Sequence, residues 1–362
     1  MMVGILTFHR AVNYGTLLQT YALQCVLREN GYENEVIDYR CKHIEKLYSP
    51  VPNISVIHAR SFLRQCGKIP IKYKKRKVFD AFIREYLQCS KPMSREGLRE
   101  ACKPYEKIIT GSDQVWHLTL SGGDLSFALD FVDEGERKAS YAASIGPAQP
   151  KKEYLEILKP ALVDFSALSV REPCGCKVIS EIVGRTVNRD IDPTFLVDRK
   201  EWEKLAQNHK NTYSQNYVFV YLMQPSDILM DVAEKLSKNN GLKIYSILMT
   251  PSRRKIGINV EYSGVNDFLW LIQNAKYVVT NSFHGIALSL RFHKDFFWAY
   301  QIGSHMSNPR FDMLTEDYGI DRRRCDNAEM IDSCKTMDWD AFEQALAKQR
   351  AVSIEHIHQY MK

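Results

Sequence analysis

Short apolar runs, each closed by a polar or glycine-containing turn and several followed by a helical spacing of apolar positions, recur along this chain. A run over 3–8 leads into the loop HRAVNYG, a periodic stretch over 16–29 stops at Gly31, and a second run covers 35–39. Two strands joined by a helix of that length make a βαβ unit, the opening of a parallel sheet. The pattern returns at 107–110 before GSDQVW, at 139–144 before Gly146 and Pro147, and at 167–170 before Arg171. A second series has strands at 217–223, 243–248, 277–280 and 296–300, alternating with helices at 228–238, 265–275 and 285–292.

This alternation predicts an α/β fold of two Rossmann-like domains facing a central cleft. The polar stretch 197–215 reads as the bridge, giving a first domain over 1–196 and a second over 197–362, whose last helix, 339–361, is placed to pack back onto the first. Strand-end loops of such domains gather around the cleft, so function is expected in them.

Composition narrows the class. The 362 residues are 45% hydrophobic and 25% charged, enough apolar material for two cores and unlike a disordered chain. MMVGILTFHR has no basic region before its apolar run and no small-residue cleavage site, so it reads as a first strand and not as a secretory leader. No stretch approaches the ~20 apolar residues that span a bilayer. A cytoplasmic protein is expected. Nine cysteines lack a repeated CxxC spacing, and the closest pair, Cys174 and Cys176, has no regularly spaced companions, which favours reduced thiols over a metal site.

The net charge of +6 is a mild excess that fits anionic substrates, a membrane surface or no specific partner. Lys72, Lys74, Lys75, Arg76 and Lys77 form a basic run. It offers peripheral contact with anionic lipid at the inner membrane face, or with a lipid-linked pyrophosphate; the plainer reading is a solvated helix face or loop. Without a nucleic-acid-binding signature or aromatic–basic alternation, nucleic acid is not expected as a partner.

The segments GILTFHRAVNYGTLLQTYAL, IITGSDQVW, SYAASIG, SVREPCG, DIDPTFL, VVTNSFHGIALSLRF and NPRFDMLTEDYGI stand in the order found in bacterial polysaccharide pyruvyltransferases, which the chain resembles over nearly its whole length. The resemblance implies a GT-B-like architecture, phosphoenolpyruvate as co-substrate, and neither cofactor nor metal. It also implies a sugar acceptor, free or lipid-linked, in a capsular, exopolysaccharide or secondary cell-wall intermediate. Two sugar hydroxyls become bonded to the former carbonyl carbon of pyruvate as a ketal, and phosphate leaves.

Making a ketal from an enol phosphate requires a proton on the methylene carbon, attack by one hydroxyl, loss of phosphate and capture by the second hydroxyl. The site therefore needs an acid, a base, and donors for a carboxylate and a phosphate. His284, between a strand and a helix in TNSFHG, is the candidate acid, with a helix-capping core histidine as the plain reading. Ser282, Gly285 and the first amides of that helix are candidates to hold an anion of the donor. Asp113 in GSDQVW is the candidate base or orienter of the attacking hydroxyl, against a simple turn-capping role. Ser112 and Gln114 add polar reach toward the sugar.

Arg171 reads as a bidentate anion clamp or as an ion pair with Glu172 or another neighbour. Arg310 in NPRF is a second donor-side candidate, with His305 close in sequence. Some family members carry an arginine two positions before the histidine, where this chain has Ser282, so Arg310, Arg253 or Arg254 is left to meet the donor's charge. In the first loop His9, Arg10, Asn13, Tyr14 and Gly15 precede a helix and are acceptor-side candidates, or parts of a structural turn. Trp116 reads as core more readily than as a sugar-stacking face. Two rival functions fit the same architecture: a nucleotide-sugar glycosyltransferase, and a non-catalytic glycan-binding protein of an assembly.

Overall fold

Alternating strands and helices build two parallel sheets in the computed structural model, which describes residues 1–51, 67, 69–301 and 308–362. Two units result, Met1–Leu196 together with Arg350–Lys362, and Val197–Gln349.

In the first unit β1 (Met2–Leu6), β2 (Glu33–Val36), β3 (Lys107–Asp113), β4 (Lys138–Ala143), β5 (Ser169–Val170) and β6 (Asn188–Arg189) lie in the order β2-β1-β3-β4-β5-β6. All these pairings are parallel. Ile5 sits opposite Val36 on one side and Ile109 on the other. β3 and β4 are buried along their whole length, which is why they read as unbroken runs without polar alternation. The longer helices are α1 (Tyr14–Glu29), α2 (Ile69–Tyr86), α3 (Lys152–Leu162) and α4 (Pro173–Val183). α1 is buried from Tyr14 to Leu27, polar residues included. Gln24 pays its desolvation by bonding both ways to the backbone of Gln88, at 2.9 and 3.1 Å.

The second unit has α5 (Arg199–Gln207), β7 (Tyr217–Leu222), α6 (Asp227–Asn240), β8 (Lys243–Leu248), β9 (Ile258–Asn259), α7 (Val265–Asn274), β10 (Tyr277–Thr280), α8 (Phe283–Arg291), β11 (Phe296–Trp298) and α9 (Pro309–Tyr318). Its parallel sheet runs β11-β10-β7-β8-β9. The polar stretch expected to be a bridge contains a packed helix instead. Asp198 caps α5 through the Lys200 amide at 2.8 Å, Trp202, Leu205 and Ala206 are buried, and Asn266 donates to the Leu205 carbonyl at 2.8 Å. Three apolar positions at i, i+3 and i+4 suffice to bury one face of a helix that is otherwise charged.

The last helix, α10 (Trp339–Tyr360), starts in the second unit, and its residues from Arg350 belong to the first. There Arg350 donates to the Leu196 carbonyl at 2.7 Å, and the Ile191 amide donates to Ser353 Oγ at 3.2 Å. Asp190, almost fully buried, accepts from Tyr360 at 2.7 Å and pairs with His356 at 2.9 Å. No helix among the described residues is long and apolar enough to cross a membrane.

The hydrogen bond to Asp190, joined by its charge and opposed by burial, raises the pKa of His356 above the ordinary 6.5. A raised folded-state value means that this pairing stabilises fully below pH 6.5 and is lost as pH rises through the folded-state pKa. The gap in unfolding temperature between the native protein and His356→Ala is therefore expected to be wide in mildly acidic buffer and to narrow in alkaline buffer, read by thermal denaturation across pH.

Candidate active site

The strand order of the first unit reverses at β1: the chain leaves it toward β2 and returns on the other side as β3. In doubly wound sheets such a reversal opens a crevice at the carboxyl ends of the two strands. Asp113 ends β3 at this point, and the start of α1 lies opposite. Thr16 Oγ1 donates to Asp113 Oδ2 at 2.8 Å, and the Gln114 amide donates to Asp113 Oδ1 at 2.9 Å. Asp113 is 9% exposed and has a positive φ of 76°, a conformation that aspartate tolerates better than most residues. Its carbonyl accepts from Val115 at 2.8 Å and Ser144 at 2.9 Å, so the turn is fixed on both sides. Tyr48 lies within the field of Asp113; burial first, and then that charge, push its hydroxyl up to about 12, keeping it a neutral donor.

Behind Asp113 runs a buried polar layer. Arg171 is fully buried, with Nη1 on Asp192 at 2.6 Å and Nε on Glu172 at 3.2 Å. Burial opposes its charge, but Glu172, Asp192 and Asp113 overcome this and hold it above its ordinary range. Asp192 also accepts from the Thr194 amide at 3.0 Å and hydroxyl at 2.7 Å. Ser112, buried, donates to the Ala142 carbonyl at 2.9 Å and reaches Asp192 at 3.4 Å. Of the two readings of Arg171, the ion pair is the observed one, with Asp192 as an additional partner.

The remaining first-loop candidates are engaged within the unit. Asn13 caps α1, accepting from Gly15 at 3.0 Å and Thr16 at 3.4 Å. Tyr14 is buried and packs on Phe79 of α2, ring centroids 4.9 Å apart. His9 is buried between Asp38, at 3.0 Å, and the Thr7 carbonyl, at 3.3 Å. Burial resists the charge on Asp38, while hydrogen bonds from His9 and Arg40 bring its carboxyl down to about 2. Arg10 pairs with Glu45 at 2.9 Å and Asp80 at 3.2 Å. Arg76 of the basic run joins the same carboxylates at 3.2 and 3.1 Å. That run is part of α2; Lys74 and Lys77 are exposed and Lys72, Lys75 and Arg76 half-buried. Trp116 is core, donating to the Phe127 carbonyl at 3.1 Å, and Gln114 is half-buried.

The second sheet reverses between β7 and β10. Asn281, the residue after β10, closes that gap: its Oδ1 accepts from the Met223 amide and its Nδ2 donates to the Gln224 carbonyl, both at 2.8 Å. Ser282 caps α8 through the Gly285 amide at 3.3 Å. Two residues further, His284 stands in the first turn of the helix, 7% exposed, its ring edge-on to Phe283 at 5.0 Å. Gly285 packs α8 onto β10 so closely that a Cβ would meet Thr280 Oγ1 at 2.5 Å. Arg310 is half-buried in the first turn of α9, its Nε 3.3 Å from Asn308 Oδ1. Arg254 pairs with Asp231 at 2.7 Å and Glu234 at 2.8 Å, and Arg253 is exposed. His305 lies outside the described residues.

Sequence reasoning missed Thr16, Tyr48, Asp192 and Asn281. Asp192 stood inside the quoted DIDPTFL and Asn281 inside VVTNSFHGIALSLRF, so the motifs carried them; Tyr48 had no local signal. Among the described residues no group of three or more His, Cys, Asp or Glu is arranged to hold a metal ion.

Gly285→Ala is expected to destabilise the protein by about 1–3 kcal/mol, because the methyl must displace β10 or tilt α8. Urea unfolding of the variant checks this. An unchanged midpoint would mean that the strand and helix are not in the close contact described.

The chain is similar in structure to several solved proteins with which it shares little sequence. The UDP-GlcNAc 2-epimerase of Methanocaldococcus jannaschii in complex with UDP-GlcNAc and UDP has a TM-score of 0.48 and 13% identity, covering 100% of this chain and 99% of that one. A putative UDP-N-acetylglucosamine 2-epimerase from Listeria monocytogenes has a TM-score of 0.49 and 9% identity, with coverage of 97% and 90%. The E. coli heptosyltransferase WaaC with ADP has a TM-score of 0.41 and 12% identity, with coverage of 96% and 100%. A search of curated protein sequences found no match. The model of the polysaccharide pyruvyl transferase family matches residues 13–300, a span that includes Asp113, Arg171 and His284 with the loops that carry them, and the chain belongs to that family.

Proposed function

We propose that this protein transfers the pyruvyl group of phosphoenolpyruvate to two hydroxyls of a glycan, forming a ketal and releasing phosphate. The observation that carries the reading is that, in a chain of this family, a carboxylate at the end of β3 and an imidazole in the first turn of α8 each stand beside the strand-order reversal of their own sheet.

His284 delivers a proton to the methylene carbon. The adjacent carbon becomes electron-poor, and a sugar hydroxyl attacks it while its proton passes to Asp113. The carbon–phosphate oxygen bond breaks, the second hydroxyl adds and its proton leaves with phosphate; Asp113 then releases its proton to water and His284 regains one from water, so one phosphoenolpyruvate and one diol give one ketal and one phosphate. Thr16 and the Gln114 amide orient the two oxygens of Asp113. Arg171 contributes through its enclosed charge beside Asp113 and through its hold on Asp192, while Arg310 is the donor-side cation of the proposal.

The test is incubation with phosphoenolpyruvate and a panel of free and lipid-linked glycans, reading phosphate release and the glycan mass together. A mass gain matched by phosphate is expected; stabilisation by nucleotide sugars alone, without ketal formation, would overturn the reading. His284→Ala and Asp113→Asn are each expected to lower turnover roughly a hundredfold or more while the protein stays folded. Near-native turnover in either folded variant would remove that residue from its role.

A further inference from the structure

We propose that a cavity beside the Asp113 loop, within the first unit, is a subsite for one pyranose ring of the acceptor glycan. The assignment of an acceptor rests on the pyruvyl-transfer reading, but the sugar-binding claim is tested separately.

The cavity measures about 270 Å³. That is just below the usual range of about 300–1,000 Å³ for small-molecule sites, room for one ring-sized ligand and too little for a nucleotide or a polyprenyl chain. Ile145, Leu155 and Leu158 supply apolar walls and Tyr154 an aromatic one, while His117, Thr119 and Lys151 place polar groups around them. The Tyr154 hydroxyl lies 3.3 Å from Thr119 Oγ1, which fixes the ring, and Lys151 Nζ sits 5.6 Å from the ring centroid. A pyranose matches this pattern: its C–H face packs on an aromatic ring, and its equatorial hydroxyls meet hydrogen-bonding groups of both kinds. A purely apolar ligand would strip water from those polar groups without replacing its hydrogen bonds.

The cavity is lined from the same two loops that hold Asp113. The amide of Trp116 donates to the Ser144 carbonyl at 3.2 Å, the amide of His117 to the Gln114 carbonyl at 3.0 Å, and the amide of Ser144 to the Asp113 carbonyl at 2.9 Å. The loops after β3 and β4 are thus laced together, one end carrying Asp113 and the other opening into the cavity. Gly146 permits it: a Cβ there would collide with the His117 ring and lie 2.9 Å from Gln114 Nε2. A ring seated on Tyr154 therefore belongs to the same chain of sugars as the residue presented to Asp113.

Saturation-transfer NMR of the full chain with methyl glycosides of glucose, galactose, mannose and their 2-acetamido analogues tests the proposal. At least one hexoside is expected to bind, with affinity reduced about tenfold by Tyr154→Ala and largely retained in Tyr154→Phe. Leu155→Trp, which fills the cavity, is expected to abolish the signal and guards against a fold defect in the alanine variant. Absence of binding to the native protein, or equal binding by Tyr154→Ala and Leu155→Trp, would overturn the subsite. Tyr154-dependent binding without ketal formation would leave the subsite standing and remove the pyruvyl-transfer reading. Ketal formation with an acceptor KM unchanged in Tyr154→Ala would do the reverse.

Discussion

Parallel pairing of β1 with both β2 and β3 is the constraint from which the first unit follows. Parallel neighbours need crossover connections, so every strand delivers its carboxyl end to the same edge of the sheet. Because the chain passes from β1 to β2 and only later to β3, the loops after β1 and β3 leave a gap between them. The hydrogen bond from Thr16 to Asp113 spans that gap. It joins the start of α1 to the end of β3 and fixes a carboxylate that is nearly buried yet still touches solvent. Hydrogen bonds of 2.6–3.4 Å tie Ser112, Arg171 and Thr194 to Asp192 in the layer beneath, which makes an enclosed arginine tolerable.

The second unit solves the same problem with neutral groups. Asn281 makes two backbone hydrogen bonds across its own reversal, and the close approach of Gly285 to Thr280 sets the first turn of α8 against the sheet. The backbone that carries His284 is thus set by an asparagine and a glycine.

Much of this was legible in the sequence because parallel strands buried on both faces write themselves as short apolar runs, and strand-end loops stand out as the polar breaks between them. The two strand series and the placement of Asp113 and His284 after strands follow from those signals, while the family was legible from the order of motifs such as IITGSDQVW and VVTNSFHGIALSLRF. What the pattern did not carry was pairing over distance. Thr16 and Asp113 are 97 residues apart, and Arg171 and Asp192 are 21 apart, so neither partner is visible in a local window. Tyr14 reads as a loop aromatic and becomes core only because α2 brings Phe79 against it. The stretch 197–215 looked like a linker because α5 buries only one narrow stripe and is charged elsewhere.

The proposed pyruvyl transfer turns on proton delivery to the methylene carbon of phosphoenolpyruvate. Running the reaction in D2O with a productive acceptor and examining the isolated glycan by NMR tests this step directly. A pyruvyl methyl carrying one deuterium from solvent is the predicted result; a product methyl without deuterium would contradict the account.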